Sequence, residues 1–162
     1  MDDENVLKQR ALMLWQEGVR QHNKGDFALA IGLYTRSIEV HPTAEAFTFR
    51  GWSYHALGRL DEAIAECKQA IEIDPSFGNP YNDIGAYLVD QGNPDEAIGW
   101  LRKAKSAPRY EPRHFPYMNL GRIYAAKGML MDAIAEFDHA LEIEPDEPFC
   151  VAMVARLRSM LN

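Results

Sequence analysis

Few of the residues able to do covalent or metal chemistry in this chain stand at spacings that would let them. His22 and His55 are the obvious pair for a divalent metal or a pH-sensitive contact, since imidazole both ligates metals and titrates near neutrality. No third ligand accompanies them, which favours ordinary surface histidines. Cys67 and Cys150 are the only thiols and lie far apart in apolar stretches. A bridge between them stays open, but no spacing supports one, and a reduced setting is the simpler expectation. Carboxylates are plentiful but gather where helices should start, as at Asp61-Glu62 and Asp95-Glu96, and there the helix dipole accounts for them. Phosphate loops, nucleophile elbows, paired-histidine zinc helices and closely spaced cysteine pairs are all missing from the sequence. The basic stretch Arg102, Lys103, Lys105, Arg109 and Arg113 suits an acidic partner or, more simply, a solvated face. The expectation is a non-enzyme, with no catalytic residues, cofactor or metal.

Composition narrows the partner. The formal net charge of −7 argues against nucleic acid or an anionic membrane as the main target, because both need a basic surface. The amino terminus reads Met1-Asp2-Asp3-Glu4, acidic where a secretory signal would be basic. No apolar run approaches the roughly 20 residues of a membrane span. These features predict a soluble, cytoplasmic protein that is not directed at nucleic acid or membrane.

The elements that position these residues emerge from a repeat. Gly18, Gly51, Gly85 and Gly121 are spaced by 33, 34 and 36 residues. Gly25, Gly58, Gly92 and Gly128 follow seven residues after each, and Ala30, Ala63, Ala97 and Ala133 five further on. Seven beyond those alanines come Ser37, Ala70, Ala104 and Ala140, with Tyr34, Cys67, Leu101 and Phe137 midway. Pro42, Pro75 and Pro145 close three units, and Pro108 closes the other one place early. Self-similarity at this period signals a stacked array of supersecondary units. Small residues in the first and third series let two helices approach closely. The second glycine series ends the first helix of each unit, where a left-handed backbone is cheap only for glycine. Asp26 and Asn93 then read as caps for the second helix, and Pro94, Pro80 and Pro116 suit first turns.

Leu60-Asp61-Glu62-Ala63-Ile64-Ala65, Asp132-Ala133-Ile134-Ala135-Glu136-Phe137 with Ile143-Glu144-Pro145, and Tyr117-Met118-Asn119-Leu120-Gly121 with Tyr124 carry a resemblance to the tetratricopeptide repeat over about residues 11–145. The departures are Glu17 and Gln21 at usually apolar sites, Arg50 before its glycine, and a third junction two residues longer. The resemblance implies an all-α, right-handed superhelical solenoid of four helix-turn-helix repeats plus a C-terminal capping helix. It forms one domain over 1–162, with repeats at about 11–43, 44–77, 78–113 and 114–147 and the cap at 148–161. Helix one should start near Asp3, giving nine helices in all.

In that family the first helix of each pair lines a concave groove. Carried onto this sequence, the groove is aromatic in its amino-terminal half, with Trp15, Phe49 and Trp52, and amide-rich beyond, with Asn82, Asp83, Asn119 and Arg122; His55 and Met118 share inward positions. These nine are the candidate partner-binding residues of an adaptor or scaffold that holds a peptide or helix. The competing reading packs Trp15 and Phe49 against neighbouring helices and makes Asn119 merely the family's common residue. The family's clamp for acidic chaperone tails uses lysine, asparagine and arginine. The corresponding positions here are Trp15, Val19, Phe49, Asn79 and Asp83; none matches, and Asp83 would repel a terminal carboxylate. Trp100, on a second helix, marks another contact surface if exposed. Alternatives to the groove are a homo-oligomeric scaffold joined through Met153, Leu157, Met160 and Leu161 of the closing helix, or a regulatory subunit of a larger complex.

Overall fold

A computed structural model describes residues 2–162, and among them the chain forms nine helices and no sheet: α1 (Asp3–Asn23), α2 (Phe27–Val40), α3 (Ala44–Ala56), α4 (Leu60–Ile73), α5 (Asn79–Asp90), α6 (Pro94–Ser106), α7 (Phe115–Ala126), α8 (Leu130–Ile143) and α9 (Pro148–Ser159). Each of the first four consecutive pairs is a hairpin, each hairpin packs on the next, and the result is an all-α repeat solenoid. The bends fall at Gly25, Gly58, Gly92 and Gly128, whose φ angles of 74° to 86° are cheap only without a Cβ. Among the described residues, no helix is long and apolar enough to cross a membrane.

The two small-and-large series turn out to be the two halves of one joint. A Cβ on Gly18 would lie 2.5 Å from the Tyr34 ring, one on Gly85 2.6 Å from Leu101, and one on Gly121 2.6 Å from Phe137. Each of those large partners is fully buried. Gly51 has more room, its nearest neighbour being the Ala63 carbonyl at 3.1 Å, because the matching large residue there is only Cys67. The first helix thus supplies a socket and the second a knob, repeated four times.

Capping follows the sequence in part. Asp26 accepts from the Leu29 amide at 3.1 Å, and Thr43 accepts from Ala46 at 3.1 Å. Asn93 occupies the cap position of α6 but makes no side-chain bond, so Pro94, Asp95 and Glu96 are what favour that start. The unusual Arg50 is explained by Glu66: two hydrogen bonds of 2.6 and 2.9 Å join them, both largely buried, and Arg50 also donates to Thr35. Polar Glu17 and Gln21 simply bond to one another at 2.7 Å.

Helix α9 buries Cys150, Val154 and Leu157, and sets Phe149 edge-on to Phe137 at 5.8 Å between centroids. It stops at Ser159, two residues short of the expected Leu161. Leu157 therefore belongs to the core and Met153 is half-buried, leaving only Met160 and Leu161 of the self-assembly set exposed. Both cysteines are free and buried.

The long third junction, residues 107–114, is the part the period did not describe. It doubles back onto the preceding junction: Gly78 N–H donates to the Arg109 carbonyl at 2.8 Å, and Arg109 N–H to the Ser76 carbonyl at 3.0 Å. The Arg109 guanidinium lies 4.3 Å over Phe77 and reaches Glu45 and Asp74, each at 2.7 Å. Tyr110 is buried directly on Gly78, where a Cβ would come within 2.0 Å of the ring. The other basic residues are also engaged within the chain. Lys105 pairs with Glu136, Arg102 donates to the Tyr124 hydroxyl, Lys103 sits over Trp100, and Arg113 donates to the Lys105 and Ala107 carbonyls. Trp100 itself is half-buried beside Tyr81, at 6.2 Å between centroids.

Candidate functional site

The candidate residues fall into three places. Trp15 lies half-buried at the amino-terminal end, edge-on to Phe49 at 5.1 Å, its indole N–H buried without an acceptor. It borders a cavity with Lys8, Leu12, His41 and Glu45. Phe49, Trp52, His55, Asn82 and Asp83 come together along one cavity of about 640 Å3 on the concave side. Asn119 and Arg122 line a separate depression with Ala86, Val89 and Asp90. Met118 is a correction: it is only 5 % exposed, packed in the core that runs through the later repeats, and presents nothing to a partner. A methionine at that register points inward because α7 is covered on that side.

The main cavity is built from five segments. Helix α3 gives Phe49, Trp52 and His55 at helical spacing, with Phe49 and Trp52 rings 4.3 Å apart. Helix α5 gives Asn79, Asn82, Asp83 and Tyr87; the junction gives Tyr110, Glu111 and Pro112; and α7 gives the exposed Phe115. His22 closes one end. The aromatic and amide groups are cross-braced between repeats. Trp52 Nε1–H donates to Asp83 Oδ2 at 2.6 Å, and Asn119 Nδ2–H to Asn82 Oδ1 at 2.9 Å. His22 Nδ1 is 3.0 Å from Ser53 Oγ, while His55 stacks on Tyr87 and lies 2.8 Å from Asp90. The two histidines therefore take different partners rather than each other. Among the described residues, no group of three or more metal-binding side chains is assembled. Arg122 lies 4.3 Å over the Phe149 ring, tying the groove to the capping helix.

Electrostatics single out one residue. Burial raises the Asp83 carboxyl to about 7, although the Trp52 and Asn82 side chains oppose the shift by hydrogen bonding to it. Burial likewise depresses the His22 imidazole and pushes the Cys67 thiol well up. Asn79 donates to the Glu111 carbonyl at 3.3 Å, yet its Oδ1 is buried with no donor. Tyr87, Tyr110, Glu111 and Pro112 were not singled out in the sequence. The longer third junction was the signal for the last three, and nothing in the period marked Tyr87, two residues after its glycine.

Stacked helical hairpins whose first helices share one face define an all-α repeat solenoid. Sequence profiles of the tetratricopeptide repeat match residues 17–76, 81–106 and 116–147, and the chain belongs to that family. It is 35% identical over 102 residues to the small glutamine-rich tetratricopeptide repeat-containing protein 2 of Mycosarcoma maydis, covering 62% of this chain and 28% of that one. The chain thus spans less than a third of that relative. The fold is similar to that of pilF from Pseudomonas aeruginosa, with a TM-score of 0.86, 20% identity, and coverage of 96% of this chain and 69% of the other. It is also similar to the second TPR of Spaghetti (RPAP3) bound to the HSP90 peptide SRMEEVD, with a TM-score of 0.61, 24% identity, and coverage of 66% and 99%.

Proposed function

We propose that this chain is a protein-interaction adaptor that binds an extended peptide or helix of a partner in the concave cavity between α3, α5, α7 and the 107–114 junction. The observation that carries the reading is the convergence of Phe49, Trp52, His55, Asn82 and Asp83 on one cavity of about 640 Å3. Aromatic faces there would take apolar or planar side chains, and the amides would satisfy a peptide backbone. The peptide held by the second TPR of Spaghetti shows that a related fold can serve this purpose. Ser53, 3.0 Å from His22 beside the cavity, has its hydroxyl fully buried away from any ligand, which supports binding rather than catalysis. The setting in this reading is the cytoplasm, where two unpaired thiols stay reduced.

The test is a peptide selected from a displayed random library and titrated by calorimetry. Truncating the exposed Phe115 or the half-buried Trp52 to alanine should each weaken a groove-bound peptide by about 30-fold, the equivalent of about 2 kcal/mol. Phe115→Ala has the milder structural effect, being exposed already. Unaltered affinity in both folded variants would place the binding surface elsewhere.

A further inference from the structure

Resting on that groove reading, we propose that the cavity recognises an arginine side chain of the partner polypeptide, held against the aromatic wall and bonded to acceptors on α5 and the 107–114 junction. The charge of the lining favours a cation. The cavity lining includes the carboxylates of Asp83 and Glu111 and no lysine or arginine. The arginines nearest in sequence are turned to other tasks, Arg50 on Glu66, Arg109 on Glu45 and Asp74, and Arg113 on backbone carbonyls. Among the described residues, Asp83 forms no ion pair.

Donors and acceptors in the cavity are also out of balance. The Asn79 amide has its orientation fixed by donation to Glu111, which leaves Oδ1 as a buried acceptor lacking a donor. Asp83 stands one helical turn further along the same face of α5. A ligand that completes this site must bring N–H groups. An aliphatic side chain would leave Asn79 Oδ1 without a donor and the Asp83 carboxylate without a counter-charge, and a carboxylate would meet two of its own sign.

The shape of the cavity favours a planar group as well. Trp52, Tyr110 and Phe115 border the cavity, and a planar cation lies flat on such rings while its edges still donate. An ammonium supplies the charge but neither the plane nor the fork of donors, so lysine is the poorer occupant.

Ionisable groups face Asp83 from every side: Cys67 of α4, Tyr87 of its own helix and Tyr110 of the junction, with His22, His55 and Glu111 around the same cavity. None is a permanent cation. A guanidinium arriving there favours the ionised carboxylate, so binding releases a proton near neutrality and tightens from pH 6 to pH 8.

The experiment uses the full chain and random nonapeptides on phage, followed by synthetic peptides in which the selected arginine is kept or replaced by lysine, citrulline or glutamate. The expected result is an arginine at one fixed position, at least about 10-fold weaker binding of the citrulline peptide, and lysine in between. With Asp83→Asn, the arginine-to-citrulline ratio should shrink to about 3-fold or less. Glu111→Gln, on the exposed junction, should shrink it partially, and it decides the matter if the first variant misfolds. Selected peptides without arginine, citrulline binding as well as arginine, or a ratio unchanged in the folded variants would overturn the inference. If those failures came while Trp52→Ala and Phe115→Ala still weakened binding, the groove would stand and only its arginine specificity would fall. Binding indifferent to those two truncations would remove the groove itself.

Discussion

Replacing Asp83 with asparagine should stabilise the protein above neutral pH and bring no gain in acid. The sign follows from the raised carboxyl. Between its ordinary value of 3.8 and its folded value of about 7, the folded chain holds a proton that the unfolded chain has lost. Stability therefore falls as pH rises through that window, and the full deficit is present above about pH 7. Each unit is worth about 1.4 kcal/mol, so the deficit approaches about 4 kcal/mol. Asparagine removes the charge, and its side-chain oxygen can still accept from Trp52. Its amide then needs an acceptor, a cost of about 1 kcal/mol, leaving a net gain of about 2–3 kcal/mol at pH 8. For a chain of this length that corresponds to a rise in Tm of roughly 5–10 °C. Thermal unfolding followed by circular dichroism at pH 4.5, 6 and 8 gives the difference between wild type and variant, in which the other titrating groups largely cancel. A difference that stays flat across this range, or a folded variant less stable at pH 8, would refute the account of Asp83. A carboxylate kept at such a cost on a groove wall is the kind of local conflict expected where function, not folding, selects the residue.

Other perturbations test the frame around the groove. Gly121→Ala would drive a Cβ to 2.6 Å from the fully buried Phe137 and should cost about 1–3 kcal/mol in urea unfolding, whereas Gly51→Ala, with 3.1 Å to its nearest neighbour, should come out near neutral because alanine favours the helix. Equal losses at the two sites would contradict the socket-and-knob joint. Gly78→Ala meets Tyr110 at 2.0 Å and should lift the 107–114 junction, seen as lost hydrogen-exchange protection of the Gly78 and Arg109 amides; retained protection would mean the junction is not held by that contact. Arg50→Ala strands Glu66 in a largely buried seam and should cost about 3 kcal/mol, with Arg50→Ala/Glu66→Ala recovering much of it. A double variant no better than the single would show that the alkyl packing of Arg50 matters more than its charge.

The repeat made the architecture legible because its joints are internal to each unit. Gly85 and Leu101, or Gly121 and Phe137, are sixteen residues apart in every copy, so one periodic count finds socket and knob together. The first-helix register also found the cavity's aromatic and amide face, since Phe49, Trp52, Asn82 and Asp83 share it. What the count could not find were contacts that no other unit repeats. The 107–114 junction has no counterpart elsewhere. Its placement depends on Phe77, Gly78 and Tyr110 meeting across a hairpin, and on Arg109 reaching as far as Glu45. Met118 failed for the opposite reason. The register marks an inward-facing helix side, but the position three residues before the first-helix glycine is buried in three successive repeats, at Thr48, Asn82 and Met118, and only packing decides where groove ends and core begins. Specificity in such a solenoid must therefore be sought where the period breaks. Here the break lays a wall of Tyr110, Glu111 and Pro112 against the acceptors of α5. It thereby gives the groove a cavity with an acidic, aromatic lining, the feature on which the proposed arginine recognition rests.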